Sequence, residues 1–160
     1  MFNSEDGENP DNLYPDINED ELPAFLKTLS TKARFRRFVK DFRAVEGDQI
    51  TVTYETIDDR EHAVLRNADL CDFLAKKDYL QSWLSEMHER FCFWNYSDWE
   101  SALEKAGFVI AEGSESKQNL WLIENRFKPA ASVYAKVDDV LVEAQQPVTN
   151  VLLIARKPLS

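Results

Sequence analysis

The chain has 160 residues, the size of one folded domain, and its 44% hydrophobic and 12% aromatic residues suffice for a single, aromatic-rich core. A formal net charge of -10 repels phosphate backbones and anionic headgroups, which argues against nucleic acid and membrane surfaces as partners. No window reaches about 18 consecutive apolar residues, and the start, MFNSEDGENPDN, lacks the cationic and apolar regions of a signal peptide, so the expected location is cytoplasmic.

Residues 1–20 hold seven Asp or Glu and two Pro with almost no apolar spacing, which predicts a flexible acidic lead-in to a single α/β domain over 21–160. Phe25, Leu26, Leu29, Phe38, Val39 and Phe42 then recur at helical spacing, with Lys27, Lys32, Arg34, Arg36, Arg37 and Lys40 between them. This predicts a cationic amphipathic helix of about twenty residues. Its basic face is either a solvated surface or a docking face for an acidic partner.

Gly47-Asp48 ends that helix, Ile50, Val52 and Tyr54 alternate as a strand, and Asp58-Asp59-Arg60 reads as a turn. Asn67 is placed to cap a helix through Leu70, Phe73 and Leu74, and a second helix from Asp78 carries Leu80, Trp83, Leu84 and Met87 on one side. Phe91-Cys92-Phe93-Trp94 has strand character. Ser97 with Glu100 forms a capping box for a helix that Gly107 stops in the left-handed conformation. Further strands are expected at 108–111, 120–123, 132–137 and 151–155, so the class is α/β or α+β.

The glycines, Gly7, Gly47, Gly107 and Gly113, are too scattered for backbone amides to converge on a phosphate, and two histidines are too few for a familiar zinc motif. Cys71 and Cys92 match no C-x-x-C spacing and read as reduced thiols. His88, between Glu86 and Glu89, is either an exposed or capping histidine or a general base. Trp94, Tyr96, Trp99 and Trp121 either pack in the core or line an aromatic pocket, to which Asn125 and Arg126 can add directional hydrogen bonds.

Ser97-Asp98-Trp99-Glu100, Leu103-Glu104-Lys105-Ala106-Gly107-Phe108, the run from Asn119 to Arg126 and the closing Leu152-Leu153-Ile154-Ala155-Arg156-Lys157-Pro158 follow one another in an order that resembles the C-terminal half of class I S-adenosylmethionine-dependent methyltransferases. The stretch from Asp72 to Phe91 looks like the helical insertion that some of these enzymes place over the substrate. The resemblance runs from about Leu22 to Pro158. It implies a partial Rossmann-like sheet with antiparallel final strands, a small-molecule substrate whose nucleophilic atom attacks a donor methyl in line, and S-adenosylmethionine as cofactor only if the missing half is supplied. The family's Gly-rich turn and its acidic residue after strand two have no counterpart here. The expectation is therefore a fragment, a split enzyme or a non-catalytic relic, inactive as an isolated chain and open to a complementary chain or to self-association through a sheet edge. The rival expectation is an interaction domain that docks through its basic helix. Tyr79, His88, Trp121, Asn125 and Arg126 are the candidate substrate-binding residues, none of them carried over from a family motif; no catalytic or metal-binding residue is assigned.

Overall fold

The computed structural model of the chain describes residues 17–42, 49–91, 94–138 and 140–158. The architecture is α+β, and every strand pair among these residues is antiparallel and confined to a two-stranded sheet. The acidic lead-in over 1–16, the break at Gly47-Asp48 and the Cys92-Phe93 pair lie outside the described residues.

The expected basic helix is two helices, α1 (Leu22–Thr28) and α2 (Thr31–Asp41). Leu29 turns extended and Ser30 caps α2, its Oγ accepting from the Ala33 N–H at 3.1 Å. The hydroxyl of Thr28 bonds back to the Phe25 carbonyl at 2.7 Å, and such local bonds compete with helix continuation. Strand β1 (Thr53–Ile57) starts beyond Ile50 and Val52 and pairs with β2 (Arg60–Val64). The turn holds Asp58 and Asp59 both at positive φ, 52° and 60°, as a two-residue turn matched to strand twist requires.

Helix α3 (Asn67–Lys76) is preceded by Arg66 at the cap position, so Asn67 is its first residue and not its cap. Arg66 reaches forward instead, donating to both carboxylate oxygens of Asp69 at 2.8 and 3.0 Å. The helix expected from Asp78 shrinks to one turn, α4 (Trp83–Glu86); Trp83 and Met87 still enter the core while Leu84 is exposed. The core is aromatic: Phe35, Phe38 and Phe42 of the α2 face and Phe73 of α3 are fully buried. Phe73 meets Phe35 edge-on at 5.0 Å and Phe38 at 5.4 Å. The indole N–H of Trp83 donates to Asp41 at 2.9 Å, so its one polar group is satisfied.

Helix α5 (Tyr96–Lys105) begins earlier than its Ser97–Glu100 pair suggested. Asn95 accepts from the Asp98 N–H at 3.1 Å and Asp98 accepts from the Asn95 N–H at 2.9 Å, a reciprocal box that adds two residues to the helix. Ser97 becomes an interior residue bonded to Asn95 Oδ1. At the other end Phe108 N–H bonds to the Leu103 carbonyl and Gly107 N–H to that of Glu104, both at 2.9 Å, with Gly107 at φ 84°. A Cβ at Gly107 would meet nothing within 4 Å. Gly107→Ala is therefore expected to cost about 1 to 2 kcal/mol from backbone conformation alone, measurable as a lowered urea midpoint with an unchanged slope.

Strands β3 (Val109–Ile110) and β4 (Glu115–Lys117) follow. The expected strand at Leu120–Ile123 is instead helix α6 (Leu120–Leu122) running into a π-helical turn, Ile123–Phe127. Asn119 Oδ1 caps it from the N–H groups of Trp121 and Leu122, and Ile123 and Phe127, four apart, both face the core. Strands β5 (Tyr134–Val137) and β6 (Val140–Glu143) form a hairpin, and β7 (Asn150–Leu152) and β8 (Ala155–Arg156) close the described chain.

β3 pairs with β8 and β4 with β7, making one interrupted ribbon over 109–117 and 150–156. The interruption is stitched by Ala111 N–H to the Ile154 carbonyl at 2.8 Å and Ile154 N–H to Ser114 Oγ at 2.9 Å, with Gly113 at φ 91°. No third strand joins it among the described residues. Its apolar side chains stay wet: Val109, Leu152 and Ile154 are 44%, 43% and 46% exposed.

Candidate binding groove at the start of helix α5

A set of buried charges beside this groove holds the 86–91 segment against α3. Asp69 and Asp72 lie one turn apart on the buried face of α3, with Lys76 a turn further on, and all three are fully buried. Arg90 donates to Asp69 at 2.9 Å and lies 3.4 Å from Asp72, while the Phe91 N–H donates to Asp72 Oδ1 at 2.8 Å. The Lys76 ammonium donates to the Glu86 carbonyl at 2.9 Å and to that of Glu89, and sits 3.5 Å from Asp72. The 86–91 segment is thus clamped to α3 by charge-assisted bonds. Burial pushes the Asp69 carboxyl upward, but the hydrogen bonds and charges of Arg66 and Arg90 outweigh it and hold it below its ordinary value. Burial lowers the pKa of Lys76, with Asp72 opposing.

A groove of about 710 Å³ lies between α3, the first turn of α5 and the β4–β7 ribbon. Trp94 and Trp99 meet edge-on there, with ring centroids 4.6 Å apart and planes at 73°. Phe91, Tyr96 and Asp98 line the same groove, and the Cys71 thiol reaches it from α3, 3.6 Å from the Val148 carbonyl. Three of the four aromatics expected in one pocket are together.

Trp121 is not among the residues lining this groove; on helix α6 instead of a strand, it is 63% exposed. Asn125 Nδ2 donates to the Trp121 carbonyl at 2.9 Å, which engages its amide within its own helix. Tyr79 and Arg126 do come together, the guanidinium lying 5.9 Å from the ring centroid and 3.6 Å from Asp78. Asp78 also meets Arg34 at 3.4 Å and Lys77 at 2.6 Å, so this cluster is an ion-pair network joining α2 to the π-helical turn. His88 is exposed just past α4 and is not part of the groove lining.

The basic face of α2 is engaged within the chain. Lys32 and Arg36 both pair with Glu61 of β2, at 3.1 and 3.2 Å, and Arg37 pairs with Asp41 at 2.5 Å. The hydrogen bond from Lys32 helps hold the Glu61 carboxyl below its ordinary range.

The sequence pointed to Trp94, Tyr96 and Trp99 through their proximity but passed over Asp69, Asp72, Lys76, Arg90 and Asp98. The available signal for the first three was their spacing, which places three charges on the side of α3 that also carries Phe73.

No protein-family model, curated protein or solved structure matches the chain. No described helix is long and apolar enough to cross a membrane, and the described residues contain no cluster of three metal-ligating side chains.

Proposed function

We propose that the chain is the substrate-side portion of a methyltransferase-like protein, inactive by itself and completed by a cofactor-binding half that continues its sheet. The observation that carries this reading is the ribbon of β3, β4, β7 and β8. It follows directly on a helix stopped by Ala106-Gly107-Phe108, pairs antiparallel with the last described strands, and leaves apolar residues exposed with no third strand among the described residues. An open apolar edge of this kind is a template for added strands. In the finer form of the proposal, those strands complete a Rossmann-like sheet.

This reading assigns S-adenosylmethionine to the other half. It is supported by the two described glycines: Gly107 closes α5 and Gly113 interrupts the ribbon, and neither lies in a strand-turn-helix of the kind that cradles the donor. This chain's part is to bind and orient the substrate, with the aromatic groove as its place. The basic-helix docking reading is less favoured, because Lys32, Arg34, Arg36 and Arg37 serve internal ion pairs.

The test places a photo-crosslinking residue at Leu152 in the source cells and exposes the purified adduct to radiolabelled S-adenosylmethionine under ultraviolet light. The expected result is label on the cross-linked partner, together with no calorimetric binding of the donor by the isolated chain. An adduct that takes up no label, absence of any adduct, or donor binding by the chain alone overturns the proposal.

A further inference from the structure

We infer that the cavity between the β1–β2 and β5–β6 hairpins binds a small uncharged molecule, its apolar body between the two sheets and one polar group at His62 and Tyr134. Side chains alternate between the faces of a strand, so Glu55, Ile57 and His62 share one face of the first hairpin, and Tyr134, Lys136 and Leu141 share one face of the second. Glu55 pairs with Lys136 at 3.2 Å, and the His62 and Tyr134 rings meet edge-on with centroids 6.0 Å apart, so those two faces are turned toward each other. Facing sheets ordinarily fill the space between them with interdigitated side chains. Here about 390 Å³ stays open, a volume within the range of small-molecule sites. Ile57, Leu65, Leu70, Val133 and Leu141 line it and are each only half-buried, so apolar surface from both hairpins and from α3 remains for a ligand to cover.

The inner side of the cavity reaches Phe35, which is fully buried in the core. Its polar side is formed by the Glu55–Lys136 pair with His62 and Tyr134, whose polar-tipped rings suit one hydroxyl or carbonyl of a ligand. Charge selects against an ion. Besides His62, the charged lining residues are Glu55 and Lys136, and they pair with each other. Arg60 and Glu143, next along the same two faces, are again one of each sign, and behind β2 Glu61 is held by Lys32 and Arg36. Asp58, Asp59 and Asp138 stand at the turns, beyond the last ladder pairs Ile57–Arg60 and Val137–Val140. An ion entering the cavity would leave water for apolar side chains and find its counter-charge already engaged. An uncharged molecule meets neither cost.

This inference does not rest on the methyltransferase reading. No residue of the ribbon lines the cavity, so this test and the cross-linking can fail separately. The full chain is titrated with hexanol, and with hexanoate and hexylammonium as its charged counterparts, at constant pH and ionic strength, while the imidazole C–H resonances are followed. The chain has two histidines; His62 lines the cavity and His88 does not, which makes them site and control. Hexanol is expected to shift the His62 signals saturably, leave His88 unmoved, and bind about tenfold more tightly than either ion. Nuclear Overhauser contacts from its alkyl chain should reach Val133 and Leu141. Ala144→Phe adds a ring to the lining at a half-buried position and should abolish the saturable shift. No saturable shift, an ion that binds as tightly as hexanol, a response centred on His88, alkyl contacts confined to residues outside the lining, or undiminished binding by folded Ala144→Phe overturns the inference.

Discussion

Phe73→Ala is expected to lower stability by about 3 to 5 kcal/mol. The ring is fully buried and joins two helices, edge-on to Phe35 and tilted against Phe38, which in turn packs on Phe42 at 5.1 Å. Removing it takes away both the transfer free energy of the ring and contacts at the centre of the cluster. The surrounding rings cannot collapse into the space without leaving their own packing. Urea unfolding followed by tryptophan fluorescence measures the effect as a lowered midpoint. Trp121→Ala serves as the control and should move that midpoint by less than about 0.5 kcal/mol, because its side chain is mostly in water. A small loss in Phe73→Ala would mean that α2 and α3 do not share one core.

Asp69→Ala should cost a comparable amount, about 3 to 5 kcal/mol, for an electrostatic reason. The substitution removes the carboxylate that accepts from Arg66 and Arg90, and it leaves Arg90, whose side chain is nearly buried, without its shorter ion pair, Asp72 lying at 3.4 Å. A buried cation stripped of a partner is penalised far more than an intact pair is rewarded. The pH dependence follows from the direction of the shift. The folded protein holds the Asp69 carboxyl below its ordinary value, so at low pH the unfolded chain takes up the proton first. The stabilisation is fully present above about pH 4 and is lost as pH falls through the folded value. Wild type and Asp69→Ala should therefore differ at neutral pH and converge in acid when urea midpoints are compared. The Lys76 shift has the same sign in an alkaline window: burial lowers its pKa, so its charged form costs stability at neutral pH, and that cost is relieved as pH climbs through the folded value toward the ordinary lysine range.

Local chemistry was legible where one residue type answers one backbone requirement. Gly107 sits at the positive φ that its place in the sequence implied, and Asp58-Asp59 makes its turn. Signals with more than one physical solution were not legible. Leu120 to Ile123 is a short apolar run with no period, equally suited to a strand or a buried helix turn, and only the Asn119 cap decides it. Asn95–Asp98 and Ser97–Glu100 have the same capping spacing, and the pair that lengthens the helix prevails. The Leu29-Ser30 break carries neither Gly nor Pro to mark it. Strands β4 and β6 escaped notice because β4 is short and polar and β6 follows a turn that was not anticipated.

The candidate groove divides in the same way. Trp94, Tyr96 and Trp99 fall within six positions, so their meeting is nearly local. Trp121 was joined to them by residue type alone, and the helix that replaces its strand carries it elsewhere. The charge clamp depends on Arg90 returning to α3 from 18 and 21 positions away, a contact that no periodicity encodes.

The ribbon's open edges acquire a further meaning beside the charge of -10 carried by the whole chain. Hydrogen-bonding groups along a strand edge do not discriminate among partners, but the long-range field does. Two copies of this chain approach one another as like-charged bodies before their edges can touch, whereas a neutral or basic partner meets no such barrier. The net charge thus works as a filter that disfavours stacking of the chain on itself. It is also a filter that dissolved ions weaken: the screening length falls from about 10 Å at 0.1 M salt to about 3 Å at 1 M. Ionic strength then sets how strongly two copies of this chain repel one another before those edges can meet.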